Sequence, residues 1–484
     1  MLPVLIVGAG PVGLTMAAEL ARFGVSVRIV ERNSHPTETS RALVMWSRTL
    51  ELLDRAGCTP AFLEAGLKGR GASLRAGQTI LGRPRFDDIA SAYNFALMIP
   101  QRDTERLLIQ HLHSLDVEIE RQVELLSFSE GADGVEAILG HADGRHESIS
   151  VPWLVGCDGA HSAVRHGLKV EFPGSTQDDD WLIADVRLDG EHAPPADEVS
   201  IYFHRDGPFV IFPLPDKRAR VIATRGKTDI AHPRPEPVIA DVQALIDQRA
   251  GGGFIASDPV WLTNFRINER KVSQYRYGRT FLAGDAAHIH SPAGGQGMNT
   301  GMQDAVNLAW KLAMVLRGEA NESLLDSYSP ERSTVGDMVL RNATALTDVA
   351  TLTNPAAQAA RNFVARFLLG FHAVRHGMAS TMSEVDIAYT KSPLSSGRNA
   401  GARWDPKYYA GAPPGAGHAP RFVLYAGDSA KASQLAGKFP KLLEAKPRPS
   451  PDDDIHLVRP DGYVGLTTSA DGWHDFERYL TNLG

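Results

Sequence analysis

Residues that could bind a dinucleotide appear first near the amino terminus. Three glycines lie in the turn 8–13, directly after an apolar run. An acidic residue follows about twenty positions later, at the end of a second apolar run, where a carboxylate can accept hydrogen bonds from a ribose diol. The pattern predicts a nucleotide site without distinguishing NAD from FAD. The candidate contacts are Gly8, Gly10, Val12, Gly13, Glu31 and Arg32, although Arg32 fits a solvated charge equally well.

A second candidate site lies in residues 279–313. A strand-like run ends at Gly284-Asp285, and a glycine cluster at 294–297 opens a helix from about Asn299. Glycines allow close approach of backbone to a ligand, and the first N–H groups of a helix attract negative charge. The segment therefore suits an anion or a cofactor, or it is a glycine-rich loop before an ordinary core helix. His288 and His290 alternate with apolar residues, which fits a packed turn better than a pair of general bases.

A third turn follows the apolar run 151–155, where Asp158 stands in the segment 156–165. A carboxylate at the carboxyl end of a strand lies where open α/β sheets bind ligands. An Asp-Gly turn is commonplace by itself, so this segment gains weight only beside the other two.

The elements that must position these turns are strand–turn–helix–strand units of an α/β fold. Residues 181–224 instead contain four strand-length runs separated by short turns, which indicates an antiparallel meander. The stretches 324–345 and 358–376 are predicted to be packing helices. Residues 396–420 are rich in glycine and proline and read as a linker.

Composition limits the function classes. A chain of 484 residues suggests about three domains. Its net charge of −7 leaves no electrostatic footprint for nucleic acid or an anionic membrane surface. The two cysteines form neither a disulfide framework nor a metal cluster. We find no cationic leader and no apolar stretch of membrane-spanning length, so we expect a cytoplasmic protein.

The three motifs together resemble those of the FAD-dependent aromatic hydroxylases, the single-component flavoprotein monooxygenases of the para-hydroxybenzoate hydroxylase type. The resemblance spans nearly the whole chain. It implies that Asp285 binds the ribitol of FAD, a group that a nicotinamide dinucleotide does not have, so FAD is expected as the bound cofactor. It also implies that the turn 292–299 lies against the flavin ring, with Pro292 and Gly295 among its cofactor contacts. The backbone N–H groups near the ring are implied to come from Gly297, Met298 and Asn299.

The same resemblance assigns further roles. Pro292 and Arg41 are the candidate catalytic positions: the carbonyl of Pro292 would position a phenol, and Arg41 would meet the pyrophosphate and the incoming nicotinamide nucleotide. Gln101 would approach the ribityl or phosphate region, and Asp158 would serve both nucleotides. A substrate-covering sheet is implied near residues 200–225, which makes Tyr202, His204, Phe212 and Arg225 candidate pocket residues, although packing or solvation explains each one as well.

The implied reaction uses FAD bound non-covalently. NADH or NADPH binds transiently over Arg41, Asp158 and Arg165, reduces the flavin, and dioxygen then forms a C4a-hydroperoxide that hydroxylates a phenolic or polycyclic, polyketide-like aromatic. One alternative is a flavin oxidoreductase of the same fold that acts on an enol-bearing antibiotic. The other is a non-catalytic ligand-binding protein. We expect a monomer or a homodimer that binds neither nucleic acid nor membrane.

The resulting domain prediction has three parts. A Rossmann-like FAD-binding domain comprises residues 1–175 and 270–395, with an excursion at 66–100 near the active site. It is interwoven with an antiparallel-sheet substrate domain at 176–269. Residues 396–484 resemble a small thioredoxin-like α/β tail, which has no cysteine and therefore no redox role.

Overall fold

The computed structural model of the protein describes residues 3–37, 42–131, 133–229, 232–352, 354–369 and 371–484. Its strands are β1 Val4–Val7, β2 Val27–Glu31, β3 Val44–Met45, β4 Leu67–Gly69, β5 Gly71–Ala76, β6 Thr79–Gly82, β7 Ala96–Met98, β8 Ile119–Arg121, β9 Val123–Glu130, β10 Val135–His141, β11 His146–Val151, β12 Trp153–Gly156, β13 Gly174–Asp189, β14 Glu198–Tyr202, β15 Phe209–Leu214, β16 Arg218–Lys227, β17 Ile255–Lys271, β18 Arg276–Tyr277, β19 Thr280–Leu282, β20 His288–Ile289, β21 Val423–Tyr425, β22 Ile455–Val458 and β23 Val464–Thr468.

The α-helices are α1 Pro11–Arg22, α2 Ser47–Arg55, α3 Thr59–Ala65, α4 Gln101–His113, α5 Ala163–Gly167, α6 Ile239–Leu245, α7 Gly297–Leu316, α8 Tyr328–Ala350, α9 Pro355–Leu368, α10 His372–Met382, α11 Ser429–Lys438 and α12 Trp473–Leu483. The α/β fold class is thereby confirmed. In the described part of the chain, no helix is long and apolar enough to cross a bilayer.

A six-stranded sheet carries the glycine motifs. Its order is β18-β19-β12-β1-β2-β8, and β19, β12, β1, β2 and β8 run parallel. The central strand β1 is buried along its whole length, as expected for a strand covered on both faces. Because parallel strands end at the same edge, the turns that follow β1, β12 and β19 lie side by side.

The second large sheet has the order β20-β17-β13-β16-β15-β14-β5-β6. Its pairs are antiparallel except β5 with β14. The expected four-strand meander is only partly right, because β13 pairs with β16 instead of β14. The segment 190–197 therefore crosses the positions of β16 and β15 before the chain enters β14. Only β14, β15 and β16 pair with one another in chain order.

Three smaller sheets complete the fold, with the orders β11-β10-β9, β3-β7-β4 and β21-β22-β23. The last one, with α11 and α12, belongs to residues 396–484. Its likeness to thioredoxin and the three domain boundaries remain predictions.

The helices after α7 differ from expectation. The single helix predicted at 358–376 is divided into α9 and α10. Gln358 is the one residue of α9 that is buried, so the predicted packing role is wrong for α9.

Candidate functional site

The turn between β1 and α1 is shaped by its glycines. Gly8 has φ +100°, and a Cβ there would lie 2.5 Å from the Cys157 carbonyl oxygen. A Cβ at Gly13 would lie 1.9 Å from the carbonyl oxygen of Gly8. Around Gly10, by contrast, a Cβ would meet nothing within 4 Å. The α1 helix begins there without a side-chain cap, so its first N–H groups face open space that suits a phosphate.

Glu31 is held beside this turn. Its Oε2 accepts from the Ala9 N–H at 2.9 Å, and its Oε1 accepts from the Asn33 N–H at 2.9 Å. Glu31, the exposed Arg32 and Asp158 all line a cavity of about 200 Å³ at the edge of the parallel sheet. The cavity joins the first and third sequence motifs at one place.

Asp158 lies at the inner wall of that cavity. Its Oδ2 accepts from the Val164 N–H at 3.1 Å, whereas its buried Oδ1 has no hydrogen-bond partner among the described residues. Burial raises the pKa of this carboxyl group, and hydrogen bonds from Ser162 and backbone N–H groups oppose the shift. A buried oxygen without a donor costs free energy, so the site fits a ligand that supplies a hydroxyl or amide donor here.

Arg165 does not serve the predicted transient nucleotide surface, because its side chain is committed to structure. It is buried, and it donates to the carbonyl oxygens of Ala286 at 3.0 Å and Ala160 at 2.8 Å. Its guanidinium lies 3.9 Å from the ring centroid of Phe172. Arg165 therefore ties the turn after β12 to the turn after β19.

The Gly-Asp turn after β19 is supported from below by Asp304 of α7. Asp304 Oδ2 accepts from the Gly284 N–H at 3.0 Å and from His288 Nε2 at 2.8 Å, and Oδ1 accepts from Arg332 at 2.6 Å. Burial alone would raise the pKa of Asp304, but Arg332 and His288 outweigh it and hold the pKa below its usual value. His288 thus has a structural partner, while Asp285 is exposed on the turn.

The glycine loop leads into α7, which starts at Gly297, two residues before the predicted start. The side chain of Asn299 fixes the loop: its Oδ1 accepts from the Trp46 N–H at 2.8 Å, and its Nδ2 donates to the carbonyl oxygens of Val44 and Gly295. The helix has no side-chain cap. The N–H groups of its first turn, at Gly297, Met298 and Asn299, are therefore not used by the helix itself.

Pro292 is exposed at the start of this loop. Its carbonyl oxygen accepts from the Gly295 N–H at 3.0 Å. A carbonyl oxygen has two lone pairs, so the predicted hydrogen bond from a phenol remains compatible with this geometry.

Gln101 lies at the start of α4 and anchors the adjoining loop. Its Oε1 accepts from the Ala42 N–H at 3.3 Å, and its Nε2 donates to Glu105 at 2.9 Å. Arg41 belongs to residues 38–41, which lie outside the described residues.

The four candidate pocket residues of the large sheet lie in different environments. Tyr202 is buried with Phe209 in the core beneath α6, so it does not wall a pocket on the other face. His204 Nδ1 accepts from the Asp206 N–H at 3.2 Å in the β14–β15 turn. Arg225 donates to Asn264 Oδ1 at 3.0 Å. Only Phe212 lies on the opposite face, near Trp261 and Ile222.

Sequence reasoning missed a charged pair on that opposite face. Phe212, Arg220, Asp185 and Trp261 are successive cross-strand neighbours over four strands. Arg220 is fully buried and donates twice to Asp185, at 2.7 Å each. The available signal was one Asp and one Arg within the apolar runs 181–188 and 219–223, respectively.

Arg220 also approaches the carbonyl oxygen of Ala42 at 3.5 Å. Trp261 Nε1 donates to Asp185 at 3.3 Å. The pair thus links this face of the eight-stranded sheet to the loop that Gln101 holds.

Comparison with known proteins gives consistent matches. A family model described as FAD binding domain matches residues 1–343. The 6-methylpretetramide 4-monooxygenase of Streptomyces rimosus is 40% identical over 406 residues, covering 82% of this chain and 72% of that protein. The rifampicin monooxygenase of Streptomyces venezuelae is 35% identical over 390 residues, covering 80% of each.

Among solved structures, that of the anhydrotetracycline hydroxylase OxyS from Streptomyces rimosus superposes with a TM-score of 0.82 at 31% identity. The match covers 99% of this chain and 98% of that one.

Proposed function

The chain belongs to the FAD-dependent aromatic monooxygenases, and from this premise we propose that it hydroxylates a polycyclic, polyketide-like phenol with NADH or NADPH as electron donor. The observation that carries the proposal is the meeting of the turns after β1, β12 and β19 at neighbouring strand ends. The first two of these turns line a cavity, and there one oxygen of Asp158 has no hydrogen-bond partner among the described residues. The relatives named for 6-methylpretetramide and anhydrotetracycline support the choice of a polycyclic substrate.

Different described residues fit the different parts of FAD. The open space at Gly10 and the first turn of α1 would take the pyrophosphate, and Glu31 would take the adenosine ribose. Asp285, exposed on its turn, would bind the ribitol, and the first-turn N–H groups of α7 would face the flavin. Bound FAD supplies hydride acceptance from the nicotinamide nucleotide and activation of dioxygen.

The protein's own contribution is binding, orientation and exclusion of water. The Pro292 carbonyl oxygen would accept the hydrogen bond of the substrate hydroxyl and orient the ring. The apolar side chains of Phe212 and Trp261 would line the substrate side of the sheet. The buried pair of Arg220 and Asp185 would keep that face in register with the loop at Ala42. The absence of a second dinucleotide fingerprint from the sequence implies that the nicotinamide nucleotide binds transiently.

Stopped-flow reduction of the flavin by NADH and by NADPH tests the proposal, with and without a panel of simple phenols and polycyclic phenols. Because the nicotinamide nucleotide has no permanent site, we expect reduction to need a rarely populated position of the flavin that the nucleotide can reach. A substrate that favours this position by about 1.4 kcal/mol raises its population about tenfold. We therefore expect at least about a tenfold acceleration by the true substrate. Product mass with isotopically labelled dioxygen should show one incorporated oxygen atom.

Two outcomes would contradict the proposal. If a substrate is demonstrably hydroxylated but does not accelerate flavin reduction, the expected control of reduction by substrate is contradicted. Absence of labelled oxygen from every aromatic product would contradict the hydroxylation.

An enol-bearing antibiotic is the alternative substrate, and the rifampicin monooxygenase relative supports testing antibiotics outside the tetracycline type. A polycyclic enol that carries no phenol ring, added in the same assay, distinguishes the two substrate classes. Preferential acceleration and oxygenation with that enol would replace the polycyclic phenol as the substrate.

A further inference from the structure

Helix α9 is packed with its polar side towards the protein. Gln358 donates to the carbonyl oxygens of Arg205 and Leu352. Arg361 donates to the Val349 carbonyl oxygen, and its guanidinium lies 4.3 Å from the Phe203 ring centroid. A surface helix normally turns its apolar side to the core. The orientation of α9 is the reverse.

The outward side of α9 is correspondingly apolar. Phe363 is 73% exposed, Phe367 is 60% exposed, and Phe371, just beyond the helix, is 50% exposed. Val364 and Leu368 are exposed beside them. Spacings of three and four residues place these side chains on one side of a helix. Large contiguous apolar patches on a protein surface mark sites of contact with another protein or a membrane.

The charge of this segment is opposite to that of the whole chain. Residues 349–383 contain no Asp and no Glu, but they contain Arg361, Arg366 and Arg375 together with His372 and His376. The complete chain has a net charge of −7. The net charge of the whole chain therefore does not describe this segment. Arg361 is packed inward on Phe203, and His372 lies 3.0 Å from Asp88, but Arg366 is exposed beside the phenylalanines.

We propose that α9, Phe371 and α10 form a docking surface for an anionic lipid bilayer, with α9 lying in the plane of the interface. Phenylalanine and leucine side chains enter the boundary between headgroups and acyl chains, while flanking arginines meet anionic headgroups. At 14 residues, α9 is too short to span a bilayer. This inference is independent of the proposed hydroxylation, because it uses none of the residues at the cofactor site.

The charge also argues against the other ways of covering this patch. A second copy related by a twofold axis would bring the same surface against itself, and residues 349–383 of that copy offer Arg366 no carboxylate. Contact between like charges is unfavourable. A lipid surface supplies both the apolar layer and the negative charge that the segment lacks.

Sedimentation of the flavin-loaded enzyme with vesicles tests the proposal. One vesicle set is pure phosphatidylcholine and the other contains phosphatidylglycerol, each at low and high salt. We expect binding to the anionic vesicles, weakened by salt. F367S should lower the partition coefficient by about tenfold or more, since it removes a phenyl group that the bilayer would bury. R366Q should lower it about fivefold. The control V260S changes another exposed apolar side chain, on β17, and should bind as the wild type does.

Three results would overturn the proposal. The first is equal binding to anionic and neutral vesicles, and the second is unchanged binding by F367S with its flavin absorbance intact. The third is a wild-type dimer that F367S converts to a monomer in analytical ultracentrifugation, which would assign the surface to a second copy.

Discussion

Glu384 offers a sharp test of the packing beneath α7. Its side chain is fully buried. Oε1 accepts from the Thr300 hydroxyl at 2.7 Å, and Oε2 accepts from Gln303 Nε2. Burial raises the pKa of Glu384 to about 7, because the loss of hydration outweighs these hydrogen bonds and the attraction of Arg332.

The direction in which pH changes the free energy of unfolding follows from the protonation of Glu384 in the folded and unfolded states. Between the ordinary pKa of 4.5 and the folded pKa of about 7, the folded protein holds a proton that the unfolded chain has released. The stabilising contribution is therefore complete below 4.5 and declines as the pH rises through 7. At about 1.4 kcal/mol per pH unit, the loss amounts to about 3 kcal/mol over this interval.

Glu384→Gln should remove this loss. An amide stays neutral at every pH, and it can keep both contacts of the carboxyl group: its oxygen can accept from Gln303 Nε2, and its NH2 group can donate to the Thr300 hydroxyl oxygen. We expect the wild-type free energy of unfolding to fall by about 2 to 3 kcal/mol more than that of E384Q between pH 5 and pH 8.

Urea unfolding at both pH values measures this difference. Glu64→Gln, at an exposed position of α3, is the matched control and should keep the wild-type pH dependence. Parallel pH profiles for wild type and E384Q would refute the reasoning, because Glu384 would then not titrate within this interval.

Three further predictions concern the cofactor and substrate sides. Asp285→Ala should weaken FAD binding by about 1.5 to 3 kcal/mol, the usual contribution of hydrogen bonds to a charged group; fluorescence titration of the apoprotein measures this, and an unchanged Kd would mean that the carboxylate has another role. Gly13→Ala should abolish FAD retention, since its Cβ would lie 1.9 Å from the Gly8 carbonyl oxygen; a variant purified with full flavin content would contradict this. Arg220→Met leaves Asp185 buried without its partner and should lower the free energy of unfolding by about 3 to 5 kcal/mol. The double variant with Asp185→Leu should recover part of that loss in urea titrations, and no recovery would argue against a paired charge.

The glycine motifs were predictable because each requirement is local. Gly8 needs a positive φ and Gly13 needs the absence of a Cβ, and these constraints act within one strand–turn–helix unit whatever the rest of the chain does. The identity of the cofactor followed from a resemblance of such units. The physics of each turn is contained in a few neighbouring residues, so a sequence can state it.

Other assignments needed the tertiary structure. Alternation along β14 and β15 shows which side chains share a face, but α6 decides which face is core, and it covers Tyr202 instead of Phe212. Likewise, Asp185 in its strand reads as a solvated charge until the register brings it opposite Arg220.

The sequence by itself therefore determined the three turns, the bound FAD and the α/β class. The tertiary structure decided that β1, β12 and β19 are neighbours, that Asp304 supports the Gly-Asp turn, and that α9 shows its apolar side to the surface. The physical reason is range: turn conformation depends on adjacent residues, whereas burial and pairing depend on contacts between segments that lie far apart in the chain.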